Sequence, residues 1–102
     1  MSINLKMITS RLGYQQITDL TSAVSLTVPS TDVNGLSCKP AIAIITPAGG
    51  PVRWRDDGVD PTATVGMPLA ANVTLQYDGD LTKIKFIETG DATAELNVSY
   101  YA

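Results

Sequence analysis

The residues best suited to chemistry gather in one stretch, Val52 to Met67, which holds the only Trp, two of the seven basic residues and three of the ten acids. Asp56-Asp57-Gly58-Val59-Asp60 sets three carboxylates around a glycine, and such spacing can converge on a hard cation like calcium. The loop lacks the regular spacing and terminal Glu of an EF-hand, and a calcium site needs about six to eight oxygens. The other reading is a charged turn whose acids pair with Arg53 and Arg55. Trp54 also has two readings, a core residue or a sugar-stacking platform. Elsewhere the chemistry is sparse. The chain has no His, hence neither the commonest general base nor the usual zinc or iron ligand. Cys38 therefore has no imidazole to activate it. Asp78 and Asp80 sit where Asp is favoured for turn geometry. The expectation is a chain that is not an enzyme and takes no cofactor.

The elements that position these residues follow from period-two alternation. Val52 and Trp54 point one way and Arg53 and Arg55 the other. Asp56-Asp57-Gly58 breaks the strand, and Pro61 blocks a helix across the loop. Ala63, Val65 and Met67 then predict a return strand, so the stretch reads as strand, charged loop, strand. Upstream, Tyr14 to Thr18 and Val24 to Val28 are expected strands. Cys38 to Thr46 is the most apolar run and predicts a central strand buried on both faces, bounded by Pro40 and Pro47. Downstream, Pro68 to Ala71 reads as a connection. Val73, Leu75 and Tyr77 form one face of a strand, as do Ile84 and Phe86 within Leu81 to Ile87, with Lys83 and Lys85 on its polar side. Ala94, Leu96, Val98 and Tyr100 make a last inward face, with Glu95, Asn97, Ser99 and Tyr101 outward. Seven or eight short strands with Gly, Pro or Asp between them predict an all-β fold: one small antiparallel β-sandwich, jelly-roll-like. Strand order is not legible at this level.

Residues 1–12 read as an N-terminal arm and residues 13–102 as the sandwich domain. In the arm Ile3, Leu5 and Met7 alternate without room for them in a complete sandwich, and Arg11 closes it. The whole length of 102 residues suits one domain burying roughly two-thirds of its unfolded surface. A net charge of −3 argues against nucleic acid as partner, which calls for a basic face. A single Cys excludes an internal disulfide. No apolar run approaches the ~20 residues of a membrane span, and the first residues are too polar for a secretory signal.

Three stretches resemble a family of small structural proteins of tailed bacteriophages. They are Gly13-Tyr14-Gln15-Gln16-Ile17 with Leu26-Thr27-Val28-Pro29; Val52-Arg53-Trp54-Arg55-Asp56-Asp57-Gly58 with Pro61-Thr62-Ala63 and Val65-Gly66-Met67; and Lys85-Phe86-Ile87 with Leu96-Asn97-Val98-Ser99-Tyr100-Tyr101. The resemblance runs from Gly13 to the end and implies a virion protein made in the host cytoplasm. Within that family it points to capsid cement, or decoration, proteins on the capsid surface. The implied partner is the major capsid protein, with a homo-oligomer on the particle. The expected contacts are Ile3, Leu5, Met7, Arg11 and Tyr101, with the charged loop of Arg53, Arg55, Asp56, Asp57 and Asp60 facing solvent or a neighbouring copy. The alternative is a tail, head-fibre or spike module that recognises a host glycan or another tail protein through Trp54, Tyr77 or the Asp loop.

Overall fold

The computed structural model describes residues 11–31, 34–90 and 93–102. Among these residues eight strands are present: β1 (Arg11–Ile17), β2 (Val24–Ser25), β3 (Ile42–Ala48), β4 (Val52–Arg55), β5 (Met67–Leu69), β6 (Leu75–Tyr77), β7 (Lys85–Glu88) and β8 (Glu95–Tyr101). They form two four-stranded sheets in the orders β1-β8-β3-β6 and β2-β7-β4-β5. Every pairing is antiparallel. The order has a simple origin. β4 pairs with β5, β3 with β6, β2 with β7 and β1 with β8. The chain is thus a two-stranded ribbon folded at the β4–β5 hairpin, then rolled so that its turns alternate between two sheets. This is the jelly-roll order, and rolling lets each sheet bury its apolar face against the other.

Alternation sets the core. On β3, Ala43, Ile45 and Pro47 are buried, and on β8, Leu96, Val98 and Tyr100. The register sets Ala43 beside Tyr100 and Ile45 beside Val98, so the smallest inward side chain lies next to the largest. The opposite sheet adds Val52 and Phe86, and the turn exit ahead of β7 adds Ile84, each 0% exposed.

Several elements depart from the sequence reading. β2 stops at Ser25, where Val24 to Val28 was expected, because its partner β7 begins only at Lys85. Leu26 and Val28 still turn toward the core. β7 starts late because Asp80 organises a turn ahead of it. Its carboxylate accepts from the Thr82 amide at 2.9 Å and the Thr82 hydroxyl at 2.6 Å, and its carbonyl accepts from the Lys83 amide at 3.0 Å. Leu81 and Ile84 are buried, but from that turn and its exit.

β3 begins at Ile42, not Cys38, is buried on one face and half-buried on the other, and runs through Pro47. The Pro47 carbonyl accepts from the Asn72 amide at 2.7 Å, beyond the last β3–β6 pair, Ile45 with Leu75. On that side no strand requires the amide that proline lacks. β1 begins at Arg11, so Arg11 and Leu12, the last two residues of the expected arm, belong to the sheet. Leu12 is a core residue at a register shift against β8. Ile3, Leu5 and Met7 lie outside the described residues.

Candidate functional site

The charged loop crowns the β4–β5 hairpin, at the fold of the ribbon. Val52 is opposite Leu69 and Trp54 opposite Met67. The return strand is shorter than Ala63, Val65 and Met67 had suggested: only Met67 is in β5, and all three are exposed. Thr62 and Val65 exchange backbone hydrogen bonds at 2.9 and 3.3 Å, and the Thr62 hydroxyl accepts from the Val65 amide at 3.0 Å. This local closure makes residues 62–65 a turn. Pro68, read as connection, sits inside β5; β5 is an edge strand, where proline is tolerated.

The loop acids go to three separate partners. Asp56 accepts the Tyr77 hydroxyl at 2.6 Å. Asp57 takes a two-pronged bond from Arg55, at 3.0 and 2.5 Å. Asp60 takes the Lys85 ammonium at 2.9 Å. Among the described residues Arg53 pairs with no acid; it donates to the Ala63 carbonyl at 3.2 Å and the Gly66 carbonyl at 2.9 Å. The expected pairing of acids with Arg53 and Arg55 therefore holds for Arg55 alone. Sequence reasoning missed the Asp60–Lys85 and Asp56–Tyr77 contacts because both partners lie on strands remote in the chain. Among the described residues no group of three or more His, Cys, Asp or Glu side chains is placed to hold a metal ion. The hydrogen bond from Arg55 holds the Asp57 carboxyl below the usual carboxylate range, and the same bond raises the Arg55 guanidinium. Asp57 is exposed and Arg55 partly so, and solvent screens the pair, so it shapes the loop more than it stabilises the fold.

Beneath the loop, Trp54 is half-buried and meets Tyr77 edge to face, with ring centroids 5.9 Å apart at 66°. Trp54, Arg55, Asp56, Asp57, Val65, Gly66 and Met67 line an open groove of about 480 Å³. Trp54 is thus half-buried, part of it packed against the core and part lining the groove.

The second surface is the outer face of the β1-β8-β3-β6 sheet. Register aligns Tyr14, Ser99, Ile44 and Gln76 in one row and Gln16, Asn97 and Thr46 in the next, with Tyr101 beside Ile42. Asn97 is the hub. Its side-chain oxygen accepts from the Tyr14 hydroxyl at 2.7 Å and the Gln16 amide at 3.2 Å, and its nitrogen donates to the Thr46 carbonyl at 3.3 Å. Thr46 and Thr74 join their hydroxyls at 2.9 Å. Among the described side chains Glu95, at one end, is the charged residue of this face, and Arg11 is paired by backbone register at the other end. Tyr101 is opposite Arg11, so the structure brings these two expected contact residues together. The alternation of Asn97, Ser99 and Tyr101 was legible, but their alignment with Tyr14, Gln16, Ile42 and Ile44 required the strand order.

Two phenols carry a pH consequence. Burial, then the hydrogen bond to Asp56, pushes Tyr77 up to about 12. Burial alone pushes Tyr100 up to about 12; its hydroxyl donates to the Gln15 side chain at 2.7 Å. In the unfolded chain both titrate near 10, so above that pH the unfolded state binds fewer protons than the folded one. Their stabilising contribution is complete below about pH 10 and is lost as pH rises toward 12. Urea midpoints measured from about pH 9 to pH 12 should fall, and Tyr77→Phe with Tyr100→Phe should flatten the fall.

Fold and site together define a jelly-roll β-sandwich with a stitched charged loop at its hairpin tip and a broad neutral face on one sheet. No family model, curated protein or solved structure matches this chain.

Proposed function

We propose that the chain is a non-enzymatic bacteriophage virion protein, a capsid cement or decoration protein that binds the assembled shell across junctions between coat subunits. The observation that carries this reading is the outer face of the β1-β8-β3-β6 sheet. It is neutral between its ends, bears Tyr14, Tyr101, Ile42 and Ile44, and is continuous with Arg11, where the N-terminal segment joins β1. Tyrosines with few charges are the composition of an interface centre. The sequence resemblance to phage structural proteins supports the same reading, as does the use of jelly rolls in viral capsids. Binding only the assembled shell stabilises it by mass action, and the symmetry of the shell repeats one modest contact many times. Quantitative mass spectrometry of purified virions tests the proposal. Copies approaching those of the major capsid protein support cement, and absence from the particle overturns it. Deleting residues 2–10 should weaken shell binding while leaving the circular dichroism spectrum unchanged.

The groove beside Trp54 favours a second reading, a tail or fibre module that takes a glycan. A partly exposed indole with Asp56 and Asp57 beside it in the groove suits a sugar ring that stacks and donates hydroxyls. A few copies per particle, with Trp54 emission shifting on addition of host glycans, would move the assignment there.

A further inference from the structure

The two sheets leave four edges, and they are unequal. β2 has two residues, β6 has three, and β5 has three with Pro68 at its centre. Short strands and proline are the usual means of blunting an edge against unwanted pairing. β1 has neither. It is seven residues long, contains no proline, and carries no charge after Arg11. Its register shift lies between Arg11 and Gly13, leaving Gly13 to Ile17 in regular pairing with β8. The segment after β2 meets β1 in two places. The Thr27 amide donates to the Gln15 side chain at 3.0 Å, and Pro29 lies against Gly13. Among the described residues the backbone of β1 pairs with β8 alone.

From this contrast we infer that β1 is a pairing edge for a second copy of the same chain, joined antiparallel about a two-fold axis near Gln15. Such a pairing turns two four-stranded sheets into one of eight strands and satisfies the row of open amides and carbonyls. The occupant is a second copy because the edge is self-complementary. An axis at Gln15 sets Tyr14 of each copy beside Gln16 of the other, on the outer face, and no like charges meet across it. The acids that make the chain net negative are elsewhere, many of them on the charged loop and the Asp78–Asp80 turn. Antiparallel edge pairing is also intrinsically two-fold, the commonest oligomer symmetry. The neutral face then runs unbroken across both copies. This inference does not rest on the virion reading, since the pairing needs no shell.

Sedimentation of the purified full chain over a dilution series tests it. The expected result is a monomer–dimer equilibrium, with hydrogen exchange at residues 13–17 slowing as concentration rises. Tyr14→Lys with Gln16→Lys places four like charges around the axis and should weaken the dimer roughly tenfold or more. Added salt should partly restore it. Both positions are exposed, so the variant should keep its thermal transition. Gln76→Lys, on the same face but at the opposite edge, in β6, should leave association unchanged. A chain that stays monomeric at all concentrations overturns the inference. So does a dimer whose affinity ignores the Tyr14 and Gln16 lysines, or one broken equally by Gln76→Lys.

Discussion

Phe86→Ala lowers the unfolding free energy by about 3–5 kcal/mol, the usual cost of removing a buried ring from a core that relaxes only partly. Phe86 is 0% exposed. It sits in β7 with Val24 on one side and Trp54 on the other, so its ring supports both the two-residue β2 and the strand that carries the loop. A chain this small holds about 5–15 kcal/mol in total, so the loss is a large fraction of its stability. Urea unfolding followed by Trp54 fluorescence measures it. The groove beside Trp54 should also lose definition, because the indole rests on the same layer. Phe86→Leu should recover most of the loss, since it keeps much of the apolar volume. A loss under about 1 kcal/mol for Phe86→Ala would mean the core is not packed as described.

The second large effect lies at Gly49, in the turn between β3 and β4 that carries the chain from one sheet to the other. Its φ is +81°, and an added Cβ would fall on the Thr93 carbonyl oxygen. The Thr93 hydroxyl also donates to the Gly49 carbonyl at 2.9 Å, so the two segments are locked together ahead of β8. Gly49→Ala combines left-handed strain of about 1–2 kcal/mol with a backbone clash that only displacement of one segment relieves. The expected destabilisation is at least about 2–4 kcal/mol. Gly58 is the internal control. Its φ is +87° with nothing within 4 Å of an added Cβ, so Gly58→Ala costs only the strain, about 1–2 kcal/mol. Equal losses at the two sites would remove the contact with Thr93 from the account.

What the sequence determined by itself was every property carried by local alternation. The all-β class, the inward faces of Leu96, Val98 and Tyr100 and of Ile84 and Phe86, and the hairpin at Val52 to Met67 follow from period two and from turn residues. These are the features that neighbouring residues decide among themselves. Misplaced strand ends share one cause. A strand ends where its partner ends, or where a turn such as Asp80–Lys83 or Thr62–Val65 satisfies the backbone first, and the partner is remote in the chain. The loop was legible as charged, with its acids expected on Arg53 and Arg55; of these, Arg55 meets Asp57, two residues away, while Arg53 goes to backbone carbonyls. That Asp60 belongs to Lys85 and Asp56 to Tyr77 was decided only when rolling the ribbon brought β6 and β7 alongside the hairpin. The neutral face and the open edge of β1 have the same origin. Strand order aligns Tyr14, Asn97, Thr46 and Ile44, drawn from three distant segments, and leaves β1 outermost among the described strands. Pairing energy depends on which backbones meet, and only the closed fold specifies that.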